Sequence, residues 1–354
     1  MIPFRLYADS HRRHFYASNA KSEWIKGVNP AVKEAKGNKL NRRDFLRAGV
    51  LGTAAFSISG LTRALPRQGT AAVIDVSFVA ERVVKSMIDG TPIPVWQFRD
   101  PAGSGPGDLE SGLLVEEGDT INITVQNDLD RPINFVVPGV FVGTPAVAAG
   151  SKRLYSFQAP AAGSYFYSDD VNGESARAMG LSGPLVVMPQ GAPNQLYAGG
   201  PTFDRQYTLV LNELDDRLND ALDNGQPFDM AGFEPNYFFA NGLSYPDTAA
   251  DADTLVSMNQ GEDIALRLIN AGVITNPMHF HGYHVEVATR NRTPETVVVD
   301  KDTVLVDREE CVDVILPVTQ SGAFPLHTHF VPGVTANGVY VNPYGGALIV
   351  MTAV

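Results

Sequence analysis

The 354-residue chain has one cysteine, Cys311, which excludes an intramolecular disulfide framework and any Cys-rich zinc module. Basic residues are scarce beyond the first 64 positions. That head carries 12 Lys/Arg against 4 Asp/Glu, which leaves 15 against 35 for residues 65–354 and a body charge of −20. Such a surface repels phosphate backbones, so neither nucleic acid nor a membrane is an expected partner of the mature form. Long helical periodicity is missing, and histidine is confined to seven positions, five of them in the body. What the chain has in quantity is apolar residues, 44% of the total, enough to bury a core in each of two domains.

The basic head reads as an export signal. Asn41-Arg42-Arg43-Asp44-Phe45-Leu46-Arg47 precedes Ala48 to Thr62, an uncharged stretch rich in Gly, Ala, Ser and Thr. At 15 residues it is too short to span a bilayer but has the length of a secretory h-region, and Thr62-Arg63-Ala64 offers small residues at a cleavage spacing. The run resembles a twin-arginine signal, which implies the twin-arginine export machinery as a partner and a periplasmic or extracellular address. An amphipathic helix is the alternative, and the Gly and β-branched content disfavours it.

From Thr70 onward, short runs of Val, Ile, Phe, Tyr and Thr alternate with Gly, Pro, Asn and Asp clusters, the pattern of an all-β sandwich. Residues 70–190 and 205–354 are expected to be two tandem sandwich domains after the 1–64 signal, with Pro189 to Asn194 as linker. Only Leu214 to Leu222 suggests a helix, and the insertion Asp215 to Phe233 is a candidate lid. The halves echo each other. Val115-Glu116-Glu117-Gly118-Asp119-Thr120 is answered by Met258-Asn259-Gln260-Gly261-Glu262-Asp263, and each strand that follows ends in an Asn, Asn127 or Asn270. The Gly-rich loop at 103–107 lacks a following helix and Lys, so a phosphate cradle is not expected.

His11 and His14 belong to the head, which leaves His279, His281, His284, His327 and His329. Two His-x-His pairs within expected strands each put both side chains on one face, and two such strands side by side would gather four imidazoles. Imidazole suits copper, zinc, iron and nickel. His284 falls on the opposite face, and Cys311 reads as a small buried residue.

Asn276-Pro277-Met278-His279-Phe280-His281-Gly282-Tyr283 and Pro325-Leu326-His327-Thr328-His329 resemble the third and fourth copper motifs of multicopper oxidases. Similar runs extend over the body, including Gly180 to Val187, Asn236 to Gly242 and Lys301 to Val304. The resemblance implies two cupredoxin-like Greek-key domains, as in two-domain laccases and copper nitrite reductases, whose chains form homotrimers with copper between the first domain of one chain and the last of its neighbour. It also implies that His279 corresponds to a type 2 copper ligand and His281, His327 and His329 to ligands of the type 3 pair.

The departures are as informative. Where the family has its blue-copper His, Cys and second His, this chain has Asn276, Thr328 and no histidine beyond His329. The four histidines of the first two motifs fall by alignment on Asn134, Val136, Ser168 and Asp170. In the family, the ligand replaced by Asp170 shares a metal with those matching His281 and His327, so these three form one candidate centre for copper, with iron or zinc as alternatives. The expected function is an exported, copper-dependent oxidoreductase without a blue copper centre, not a typical laccase. The alternative is a non-catalytic copper-binding, copper-sequestering or scaffold protein of the same fold.

Overall fold

The computed structural model describes residues 61–63, 71–101, 112–297, 300–338 and 345–354. The twin-arginine run and its uncharged stretch up to residue 60, the loop at 103–107 and residues 298–299 lie outside the described residues. Among the described residues no helix is long and apolar enough to cross a membrane.

Strand alternation builds two β-sandwiches. In Thr120–Asn127, Ile121, Ile123, Val125 and Asn127 are buried while the intervening Thr and Gln side chains are half-buried on the other face. That strand pairs parallel with the long strand Val73–Ser86, which also runs antiparallel to Pro92–Arg99; Lys152–Gln158 completes this four-stranded sheet. The facing sheet contains Gly112–Glu116, Ser182–Met188 and Gly163–Ser168, with Val136–Val137 and Phe141–Val142 beyond, and Leu61–Arg63 pairing parallel with Gly112–Leu114 at the other edge. Between the sheets, Phe78, Phe98, Phe135 and Tyr167 pack with ring centroids 4.9–6.2 Å apart.

The second sandwich has one sheet built on Arg205–Leu214, Asp263–Asn270, Cys311–Pro317 and Val285–Arg290. Its facing sheet runs Val256–Met258, Leu348–Ala353, Gly322–Thr328, Asn276–Phe280, Thr303–Val306. The internal repeat is physical. Gly118 and Gly261 both take the left-handed backbone (φ 83° and 91°) in the turn before the repeated strand. At the strand ends, Asn127 donates to the carbonyls of Arg131 and Val147 and accepts from the Leu129 amide. Asn270 does the same with Ile274, Val306 and Gly272.

Three expectations change. Residues 279–289 are two strands, Asn276–Phe280 and Val285–Arg290, because Gly282 turns the chain with φ 76° at a place where a Cβ would run into the Phe324 ring. Val297 lies in a bend, not a strand. The insertion after Leu214 is no open lid. Its helix, Asp216–Asp223, is capped by Asp215, which accepts from the Arg217 amide. Asn219 donates to the Pro94 carbonyl at 2.7 Å, and Leu218, Phe228, Met230 and Phe233 pack on the first core. A five-residue helix, Glu174–Ala178, is additional.

The halves join through a shared apolar layer that includes Leu114, Val186, Phe203, Ala265 and Ile315. Within the joint lies a fully buried ion pair. Arg267 and Asp313 face each other in register on neighbouring strands, 3.5 Å apart. Arg267 also donates to Gln206 (2.9 Å) and Ser164 (3.2 Å), while Asp313 accepts from Ser164 (2.5 Å) and Thr289 (2.9 Å). Burial pulls the guanidinium below its ordinary value, but that value is so high that the group stays charged.

Removing one partner strands the other. Asp313→Ala is expected to cost about 3–5 kcal/mol in denaturant unfolding, and Arg267→Met combined with Asp313→Leu to cost clearly less.

Glu213, at the same joint, is wholly buried. One carboxylate oxygen accepts from the amides of Val273 (2.5 Å) and Ile274 (3.0 Å), and the other has no hydrogen-bond partner among the described residues. Burial outweighs those bonds and the charge of Arg177, and pushes the carboxyl up to about 7 from an ordinary 4.5. Between these values the folded chain keeps a proton that the unfolded chain has released, so the group costs stability as pH rises through that window. Glu213→Gln should raise stability by on the order of 3 kcal/mol at pH 8 and by nothing measurable at pH 4.5, in unfolding curves recorded at both.

Candidate metal centre

The strand Asn276–Phe280 lies between Thr303–Val306 and Gly322–Thr328. Alternation sends Met278, Phe280 and Leu326 into the core and turns the intervening residues outward. His279 stands directly opposite His327 on one side and Thr303 on the other. His281 and His329 follow just past the ends of their strands. The amide of His281 donates to the Pro325 carbonyl and that of His329 to the Pro277 carbonyl, which keeps both in line with the ladder. All four imidazoles therefore gather on the outer face of the second sandwich, with neighbouring ring centroids 4.5–5.9 Å apart.

Their ring nitrogens are individually oriented. His279 Nδ1 is 3.0 Å from both the Asp302 carbonyl and Thr303 Oγ1. A carbonyl only accepts, so Nδ1 carries the proton and Nε2 holds the lone pair. His327 Nδ1 likewise meets the Thr328 carbonyl at 3.0 Å. His281 and His327 approach through Nε2 at 3.0 Å, a spacing that suits two ligands on one ion, since donors at about 2.0 Å subtending 90–110° are roughly 2.8–3.3 Å apart. Burial and then the neighbouring rings, His279 first, lower His281 to about 4; burial also lowers His327. Both are neutral imidazoles at neutral pH, the form that binds metal. Rings crowd more closely than nitrogens converge. Among the described residues no three His, Cys, Asp or Glu side chains close on a common point, because His279 is drawn toward Asp302 and Thr303.

Asp170 is placed elsewhere. It is exposed, its side chain accepts from the Asn134 amide group, and its own N–H donates to Asn134 Oδ1 at 2.9 Å. Val136 pairs in register with Ser168. The four positions aligned with the lost first-domain histidines thus share one locus. His284 is exposed and sits 3.2 Å from Asp300. Cys311 is buried, with its thiol pushed up by burial, and lies at the start of its strand as expected.

Thr328 and Asn276, which stand where the resemblance would put a cysteine and a histidine, lie on the inward face of the same strands. Thr328 is buried, its Oγ1 accepts from the Phe330 amide at 3.2 Å, and a Cβ at Gly333 would collide with its methyl group. Asn276 is buried on the neighbouring strand, opposite Val306. The space is closed by packing. Sequence reasoning missed Asp302 and Thr303 as partners of His279; the run Lys301 to Val304 carried the signal without showing which ring it would orient.

Multicopper oxidase family models match residues 109–192 and 221–342, together more than half of the chain. The blue copper oxidase from Nitrosomonas europaea is 25% identical over 80% of this chain and 86% of its own, with a TM-score of 0.66. The multicopper oxidase mgLAC gives the same values. The copper nitrite reductase from Nitrosomonas europaea, at 19% identity, shares the fold over 80% of this chain and 94% of its own, with a TM-score of 0.60. Curated protein sequences give no match. Two sandwiches, the motif pairs on facing strands and these likenesses place the chain in the multicopper oxidase family, whose membership implies copper.

Proposed function

We propose that this protein is an exported copper-dependent oxidoreductase that holds its metal through His279, His281, His327 and His329 and works without a blue copper centre. The observation that carries this reading is the paired approach of His281 and His327 through Nε2 at 3.0 Å, with His279 and His329 beside them on one outward face. Copper bound there would supply one-electron exchange and Lewis acidity toward a small ligand. The residues do the rest. His281 and His327 present neutral donors, Asp302 and Thr303 hold the His279 ring with Nε2 directed away from the backbone, and Thr328, in place of a thiolate, offers no entry for electrons from an organic reductant.

The histidine face is also short of charge. Pro277, Leu305, Pro325 and Val350 flank the imidazoles in the ladder, and Leu305 is 48% exposed. Exposed Val142 and Val171 flank the Asn134–Asp170 locus in the chain. These surfaces support a homotrimer in which the Asp170 carboxylate of one copy completes the site of the next. The basic head supports twin-arginine export to the periplasm or beyond. A non-catalytic copper store is the second reading, favoured by the Asn134–Asp170 pair, which satisfies by hydrogen bonding a locus where the family keeps ligands.

Elemental mass spectrometry with paramagnetic resonance on the isolated protein should find near-stoichiometric copper without intense blue absorption. His281→Ala with His327→Ala should lose the copper while the melting temperature of the metal-free protein changes little. A folded protein that cannot be loaded overturns the proposal, and copper without turnover of oxygen or nitrite selects the second reading.

Thr303→Val removes one of the two Nδ1 partners of His279. Copper affinity should fall on the order of tenfold in competition titrations, with the fold intact by circular dichroism.

A further inference from the structure

Away from the histidines, the two halves border a cleft of about 230 Å³ lined by Tyr165 and Phe166 from the first and Asn291, Arg292, Glu309 and Cys311 from the second. Arg292 occupies the second central position of a two-residue hairpin turn between the paired residues Arg290 and Thr293. Asn291 and Arg292 both have positive φ, 44° and 70°, and Glu309 across the cleft has φ 63°. Such turns favour Gly at the second position, so an arginine is held there against its backbone preference.

Its side chain crosses Gly163, where a Cβ would come within 2.7 Å of Arg292 Cγ, and its guanidinium lies 4.5 Å above the Tyr165 ring. Tyr165 is fixed in turn, its hydroxyl donating to the Ala161 carbonyl at 2.6 Å. The other polar liners are engaged. Glu309 pairs with Arg177, and Asn291 Oδ1 accepts from the Cys311 amide at 3.0 Å. Among the described residues Arg292 donates no hydrogen bond and joins no ion pair. A guanidinium held over the Tyr165 ring, in a cleft that Phe166 and Cys311 also line, has the fork geometry that carboxylates match with two parallel bonds.

We propose that this cleft binds a small planar carboxylate, its acid group on Arg292 and its flat body against Phe166. The volume is that of roughly eight water molecules, the size class of an aryl or short unsaturated acid. A ligand there touches both halves and is independent of the histidine centre.

Calorimetric titration of the full chain with benzoate, and with benzamide as its uncharged isostere, tests this. Saturable benzoate binding at one site per chain is expected, with benzamide at least tenfold weaker. Arg292→Gly suits the turn's backbone and should fold while binding benzoate at least tenfold more weakly. Arg292→Lys keeps charge without the fork and should fall between; it carries the test alone if the glycine variant does not fold. Absent benzoate binding, equal binding of benzamide, or unchanged affinity in the folded variants would overturn the proposal and leave Arg292 as a structural latch on Tyr165.

Discussion

Much of this molecule depends on one buried charge pair. Arg267 stands in the middle of the strand Asp263–Asn270, wholly buried, with Asp313 directly opposite. A guanidinium there cannot be left unmet, because an isolated buried charge costs far more than a domain's net stability. Its partners come from both halves: Gln206 and Asp313, the latter also bonded by Thr289, belong to the second sandwich, and Ser164, which bonds both Arg267 and Asp313, to the first. Sliding or tilting one sandwich against the other would withdraw Ser164 and expose the apolar layer around Leu114 and Ile315. Apolar contact alone tolerates many dockings. The polar network selects one, at a desolvation cost that the surrounding hydrogen bonds offset.

The joint also decides which faces are free for chemistry. It occupies the sheet containing Asp263–Asn270 and Cys311–Pro317, so the opposite sheet of the second sandwich, with Asn276–Phe280 and Gly322–Thr328, keeps its outer face away from that joint. The histidines project from this outer face while their neighbours in sequence, Met278, Phe280 and Leu326, build the core. The histidine cluster therefore rests on paired strands of that sheet. Its rings are set by backbone register and by carbonyls, Asp302 and Thr328, which a packed sandwich cannot easily move.

The fold was largely legible because alternation and turn residues agree with each other. Asp263–Asn270 emerges with its expected bounds, since every second residue is apolar and a Gly turn precedes it. Pro92–Arg99 was not legible: Pro92 and Pro94 argue against a strand, and the segment succeeds by pairing with the long strand Val73–Ser86. The packing of the Asp215 insertion depends on Pro94 and the first core, more than a hundred residues away in the chain, which no local pattern reports. In the site, His-x-His spacing announced four imidazoles on one face. It could not say that only His281 and His327 would approach through nitrogen, because ring rotation follows from Asp302 and Thr303 across the ladder. Within the chain Asp170 is tied to Asn134, a pairing 36 residues apart that no local pattern reports.

The two faces of the same pair of strands explain how a family site can be half kept. Residues 327 and 329 point outward and residue 328 inward, so the copper positions of one motif belong to two separate environments. Position 328 lies in the interior, where unfilled space would be a cavity. A threonine occupies it, its methyl group packed against Gly333 and its hydroxyl accepting from the Phe330 amide. In the first sandwich, Asn134 and Asp170 meet each other's hydrogen-bonding needs. His281 and His327 meet each other at Nε2, a contact that leaves the His327 lone pair facing a proton where a metal would serve both rings. Thr328 is packed into the interior and Asp170 is bonded to Asn134, while the four imidazoles stay together on the outward face.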